Sequence, residues 1–307
     1  MKKTFKKRAF ISAIAMLIVS AIVLTSATYA WFSMAKRVEV ESMELNVTSP
    51  EGIQISANTS AFTTKLTVDN IKGTDETAGG KRFNAYTDHM NNIPTTVKPS
   101  SSYMWTANQL PEWFDGSIND GKTMDIYSVN EVGSGFVAFD LFIKVKSATT
   151  VKFGNSTVSC EGNAELPTAM RIALVNCGTV KENANASSIK GVLPGNGAAR
   201  VVYEIDASHH TAAAQLLGAN GVMTTKYISS ARTGVACDST YANIVSNTLY
   251  TRELAATLAT TADDAKINVA AGITRMRVYM WMEGNDVDCA NDVAGSTINF
   301  NLVLEID

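Results

Sequence analysis

Apolar and polar side chains alternate with a period of two along several stretches of the chain, and that alternation predicts extended strands. Ile298, Phe300, Leu302, Leu304 and Ile306 interleave with Thr297, Asn299, Asn301, Val303 and Glu305, so one face is apolar and the other largely polar. Val137, Phe139, Leu141, Ile143 and Val145 repeat the pattern against Asp140, Lys144 and Lys146, while Met276, Val278, Met280 and Met282 oppose Arg275, Arg277, Tyr279 and Trp281. Shorter candidates lie at 53–56, 151–158, 170–175, 201–205 and 267–270. Strands separated by Gly, Asn and Ser turns, with few helical patterns, predict a mainly β fold built as an antiparallel two-sheet sandwich.

Two tracts interrupt this pattern. Residues 72–102 are polar and turn-rich and read as long loops at one end of the sandwich, and the strand signal weakens again over 178–265, which reads as an insertion. Within the latter, HTAAAQLLGA and RELAATLATTA contain good helix formers and predict two short helices, the second ending at Asp263 and Asp264. Nearer the amino end, Val38 and Val40 occupy even positions whereas Met43, Leu45 and Val47 occupy odd ones, a change of phase that predicts a bulge or bend near Ser42. Such a segment serves equally as the first strand of its own sandwich or as a donor strand that completes the sheet of a second subunit.

The first 35 residues follow a different logic. Lys2, Lys3, Lys6, Lys7 and Arg8 precede an uncharged run from Ala9 to Ala35, whose first part, AFISAIAMLIVSAIVL, is strongly apolar. This is the pattern of an export signal: a cationic start held on the cytoplasmic side, a hydrophobic helix, then small residues where a signal peptidase cuts. Thr28 and Ala30 satisfy the requirement for small side chains, so cleavage between Ala30 and Trp31 is expected, with Thr25 and Ala27 as a second site. The run also exceeds the roughly 20 residues a membrane-spanning helix needs, so a retained anchor stays open. The expected division is a signal peptide at residues 1–30 and a single β-sandwich domain at residues 31–307.

The string TSATYAWFS resembles the signal and mature start of TasA-type and camelysin-type exported surface proteins of Gram-positive bacteria, and RVYMWMEGNDVDCAND resembles a block found in uncharacterised surface proteins of Firmicutes. Together the two strings cover 25 of 307 residues. The resemblance implies a jelly-roll sandwich and a dedicated signal peptidase as a partner during export. It also implies self-association into biofilm-matrix fibres by β-strand addition, for which Val38, Val40, Met43, Leu45 and Val47 form the candidate assembly strand. Camelysins have been linked to proteolysis, but no metalloprotease motif occurs in this sequence, so that activity is not carried over.

Charge and composition narrow the partners. Hydrophobic residues make up 46% of the chain and charged ones only 18%, which suits a packed core rather than a disordered coat. Loss of residues 1–30, with five basic and no acidic groups, leaves 21 Lys plus Arg against 29 Asp plus Glu. The resulting formal charge of −8 argues against nucleic acid as a partner. Four cysteines in an exported chain suit two disulfides. A strand between Cys160 and Cys177 would hold them about 23 Å apart at roughly 3.3 Å per residue, well beyond disulfide reach. Two pairings then remain; if the strand at 275–281 lies antiparallel beside 170–176, Cys289 comes near Cys160, so the expected pairs are Cys160 with Cys289 and Cys177 with Cys237, with free buried cysteines as the alternative.

Candidate chemistry is sparse. His89, His209 and His210 are the only histidines, and there is no HExxH, CxxC, GxSxG or phosphate-binding glycine loop, so no catalytic residue and no cofactor are assigned. In MEGNDVDCAND, the oxygens of Glu283, Asn285, Asp286, Asp288 and Asp292 offer a calcium site without EF-hand spacing, and a solvated acidic turn is the plainer alternative. Tyr103, Trp105 and Trp113 form either a glycan-stacking platform for cell-wall or matrix sugars, or rings packed beneath a loop. The sequence thus predicts a secreted or cell-surface structural protein, with an adhesin or carbohydrate-binding module second and an enzyme third.

Overall fold

The computed structural model describes residues 42–48, 52–72, 91–94, 97–105, 111–119, 123–128, 135–161, 164, 166–192, 199–206, 226–228, 232–236, 250–252, 258–259, 261–283 and 297–306. The expected signal at 1–30, Ala30, Trp31, Val38, Val40 and the first expected helix, HTAAAQLLGA, lie outside these residues.

The described chain is mainly β, and two sheets carry its core. The larger runs in the order β16 (Leu258–Ala259), β12 (Arg200–Glu204), β11 (Met170–Val180), β18 (Gly272–Met282), β8 (Val137–Val145) and β2 (Gln54–Ser56), with β4 (Asn91–Asn92) also paired to β8. The second runs β17 (Lys266–Val269), β9 (Thr149–Phe153), β19 (Thr297–Ile306), β1 (Ser42–Thr48) and β3 (Lys65–Thr67), while β10 (Thr157–Glu161) pairs with β19. Strand pairings are antiparallel except β1 with β19 and β12 with β16. A four-stranded sheet of β14 (Arg232–Ala236), β7 (Thr123–Ser128), β6 (Pro111–Asn119) and β5 (Ser101–Trp105) and a pair of β13 (Lys226–Ile228) with β15 (Tyr250–Arg252) complete the strands. Two five-residue helices, α1 (Val68–Lys72) and α2 (Ala186–Lys190), are too short to stand alone and depend on packing.

The period-two patterns explain where the core sits. Val137, Phe139, Leu141, Ile143 and Val145 of β8, with Met276, Val278, Met280 and Met282 of β18, turn to one side of the larger sheet. They share a single buried cluster with Ile298, Phe300, Leu302 and Leu304 of β19 and Val151 and Phe153 of β9. The rings of Phe153 and Tyr203 lie 5.1 Å apart and bridge the two sheets directly. β11 and β18 are antiparallel neighbours, with Met170 opposite Met282. Beyond Asn176 the register shifts at a bulge, where Gly178 takes a φ of 130° and its N–H donates to the Asn176 side chain.

Three expectations need correction. The strand expected over 151–158 is two strands, β9 and β10, because Ser156 turns its hydroxyl onto the Val303 backbone and takes the place of a ladder partner. Instead of continuing a helix, the second half of RELAATLATTA forms β16 beside β12 and then a turn in which the Thr261 hydroxyl meets the Asp264 carboxylate at 2.7 Å. Tertiary strand pairing overrides the helix preference of its alanines and leucines. Nor is 178–265 a mere insertion: it contributes β12, with Val202 and Tyr203 buried, to the interior of the larger sheet. In the tract 72–102, described in part, β4 pairs with β8, and Val97 and Ser100 are buried.

Candidate functional site

The candidate assembly strand falls partly within the described chain. Met43, Leu45 and Val47 occupy β1 opposite Ile298, Phe300 and Leu302 of β19, in parallel register over Ser42–Thr48, and β3 flanks the other side of β1 over Asn46–Thr48. Within one chain, β1 therefore closes a seam between two strands of its own sheet, and Val47 is fully buried there. Parallel strands need a long crossover, so this pairing spans nearly the whole sequence.

The most unusual chemistry lies on the opposite face of the larger sheet, where sequence periodicity predicts solvent. Arg275, Arg277, Tyr279 and Trp281 of β18 are all buried, as are Asp140 of β8, Arg171 of β11, Glu204 of β12 and Glu283. β-Sheet register brings Asp140 opposite Arg277. The carboxylate of Asp140 then accepts from Arg275 Nη2 at 2.6 Å and Nε at 3.1 Å, and from Arg277 Nε at 2.9 Å. Two guanidiniums share this carboxylate. Arg275 Nη1 also donates to the carbonyls of Lys190, the last residue of α2, and of Val192, two backbone dipoles that help to offset its charge. Farther along the same face, where Arg171 is registered with Trp281, Arg171 Nη2 lies 3.3 Å from Glu204 Oε1 and its Nη1 donates to the Thr168 carbonyl at 2.9 Å.

Charge perturbation follows from this sealing. Burial would raise the Asp140 carboxyl, but the charges and hydrogen bonds of Arg277 and Arg275 outweigh it and hold the group below its ordinary value. Burial opposes the charge of Arg277, yet Asp140 beside it lifts the guanidinium above its ordinary value. Burial also pushes the Cys177 thiol up to about 12, which leaves it protonated and unreactive. Nothing in this cluster places an ionised nucleophile beside a base. Its chemistry is that of an internal electrostatic lock.

The cover over this face accounts for a predicted glycan residue. Trp113 of β6 is buried, stacked on Phe136 with centroids 4.5 Å apart, and set edge-on to Trp281 at 5.1 Å. It pins the four-stranded sheet onto the larger one and cannot present its ring to a sugar, which corrects the three-ring platform. Tyr103 and Trp105 lie on β5, next to β6.

Glu283 also departs from expectation. Rather than belonging to a solvated acidic turn, it is fully buried, with its carboxylate accepting from Trp281 Nε1 at 3.1 Å and its backbone N–H donating to the Ala169 carbonyl. Asn285, Asp286, Asp288 and Asp292 lie outside the described residues. Among the described residues no three His, Cys, Asp or Glu side chains converge as a metal site.

The cysteines separate as the strand layout requires, with Cys160 on β10 of one sheet and Cys177 on β11 of the other. Both are free thiols, contrary to the expected disulfides. Cys177 is enclosed by the sheet and donates weakly to the Val175 carbonyl, while the expected partners Cys289 and Cys237 lie outside the described residues. No helix among those residues is long and apolar enough to cross a membrane.

Comparison with protein-family models, with curated proteins and with solved structures found no match for this chain.

The buried charges escape sequence reading because Arg275 and Arg277 alternate with methionine and valine as solvent-facing residues do. One signal was available: Tyr279 and Trp281 share their phase, and two large rings in a row on a strand face call for a covering layer.

Proposed function

We propose that this is an exported structural protein of the TasA-like kind, acting at the cell surface or in the extracellular matrix and polymerising through exchange of β1 between copies. On this reading, a signal peptidase releases the domain after Ala30, the two sheets fold as a jelly-roll-like sandwich, and the role is not catalytic. The observation that carries it is the placement of β1: a seven-residue strand held between β19 and β3, preceded by an export-type amino end. When such a strand leaves, it exposes the backbone edge of β19 beside an apolar slot, and the same strand of another copy restores identical contacts. Register supplies the specificity, because a slip of one residue turns every apolar side chain outward.

An adhesin role is the weaker alternative, since burial of Trp113 removes one of the three rings it would use.

Negative-stain microscopy of the purified chain tests the proposal when combined with an Asn46→Cys/Asn301→Cys variant, which joins directly opposed positions of β1 and β19. Fibres are expected from the unmodified chain. The variant should remain unassembled when oxidised and regain assembly when reduced, with the unmodified chain under the same reductant as control. Monodisperse unmodified protein, or fibres from a fully cross-linked variant, would overturn strand exchange.

A further inference from the structure

A cavity of about 570 Å³ opens at the end of the fold where β8 turns into β9 and crosses between the sheets, bordered by β2 and the far end of β19. This volume is within the range typical of small-molecule sites. Its wall is uneven in charge: Lys144 and Lys146 contribute two ammonium groups and Glu182 one carboxylate.

Lys144 is held rather than free. Its Nζ lies 2.8 Å from Glu182 Oε1 and 5.7 Å from the centroid of the Phe62 ring, and its side chain is three-quarters buried. The hydrogen bond from Lys144, and then its charge and that of Lys146, keep the Glu182 carboxyl below its ordinary value. Lys146 is exposed and adds a positive charge beyond that pair. Ser147 and Thr149 also line the cavity, and Ile306 adds an apolar side chain to its wall.

We infer that this cavity binds an anionic saccharide unit, whose carboxylate or phosphate meets Lys146 while its ring lies against Ile306 and its hydroxyls bond to Ser147, Thr149 and Glu182. Each component of the wall has a counterpart in such a ligand. A fixed ion pair orients hydroxyl groups, a free ammonium takes the acid, and an aliphatic patch takes the C–H face of the ring. An uncharged apolar molecule would desolvate Lys146 and offer its ammonium no partner. A neutral sugar would leave the excess charge unmatched. The inference stands apart from β1 exchange, since no residue of β1 lines the cavity.

Saturation-transfer NMR on the full-length chain tests this with three probes: glucuronate, glucose 6-phosphate and glucose. Transfer to at least one acidic sugar is expected, with none to glucose, and the arm that responds identifies the acid group. Lys146→Glu should weaken binding by about tenfold or more, the loss equivalent to one charge-assisted hydrogen bond. Ala148→Trp should block the cavity with the same result, whereas Lys65→Glu, an exposed charge reversal on β3, should leave binding unchanged. Neither acid exceeding glucose, or Lys146→Glu and Ala148→Trp both binding as the unmodified chain does, would overturn the assignment.

Discussion

Replacing Asp140 by asparagine keeps the shape of the side chain and removes an anion that bonds two buried guanidiniums. Four of their N–H groups currently point at its oxygens, at 2.6, 2.9, 3.1 and 3.4 Å. All three side chains are inaccessible to solvent, so water cannot take over the lost charge. Breaking a buried ion pair by deleting one partner costs about 3–5 kcal/mol, and because one carboxylate serves two guanidiniums, Asp140→Asn falls toward the upper part of that range. With a urea dependence of about 2 kcal/mol per molar, the unfolding midpoint should fall by about 2 M.

The pH dependence gives an independent check. The folded Asp140 carboxyl titrates below its ordinary value of 3.8. Its contribution is therefore complete above the unfolded value and is lost as pH falls through the lower, folded one. Asp140→Asn should lack this acid-side loss. Urea titrations followed by tryptophan fluorescence from pH 7 down to about 2.5 would measure both effects. Replacing the whole triad by Leu and Met side chains should recover most of the stability, because an apolar cluster of similar volume bears no desolvation cost. A shift in Asp140→Asn below about 1 kcal/mol, or an acid profile equal to that of the unmodified chain, would refute the reading of the triad as an electrostatic lock.

Three further outcomes follow. Trp113→Ala should destabilise by about 3–5 kcal/mol and release β6 from the face that carries Trp281, seen as earlier proteolysis of β5–β7 relative to β8 and β18. Gly272→Ala should cost more than about 1–3 kcal/mol, the usual strain of a disfavoured backbone region, because Gly272 has φ 124° and an added Cβ would lie 2.2 Å from the Val180 carbonyl oxygen; thermal melts report it. Iodoacetamide at pH 8 should label Cys160, which is partly exposed, in the native protein and Cys177 only after unfolding, as read by peptide mass spectrometry.

Much of the two-layered core is legible in the amino-acid order. β8, β18 and β19 show strict alternation because one side of each meets the common apolar cluster, and β2, β11, β12 and β17 appear as shorter versions of the same signal. What alternation cannot reveal is whether the second face meets water or another layer. Arg275 and Arg277 look identical in either case, and only the three-dimensional approach of Asp140, α2 and Trp113 decides. β5, β6 and β7 escaped notice because polar residues and turn formers interrupt them, as in SSYMW and PEWFDGSIN. Parallel pairing of β1 with β19 was equally hidden, since strand alternation carries no information about direction. The cavity beside Lys146 depends on residues from four separated segments and has no local motif.

The parallel seam between β1 and β19 also sets an order of events. Its partners are separated by 255 positions, from Ser42 to Thr297, so an amino-first chain emerging through a membrane would present β1 long before its neighbour exists. Until residues 297–303 arrive, that segment has no ladder partner on this side, and loop closure over so long a span slows the final docking. If the chain is exported and exchanges β1 as proposed, an unclaimed strand and, moments later, an unfilled slot would coexist in neighbouring molecules during translocation, which would make that interval the natural time for copies to interlock.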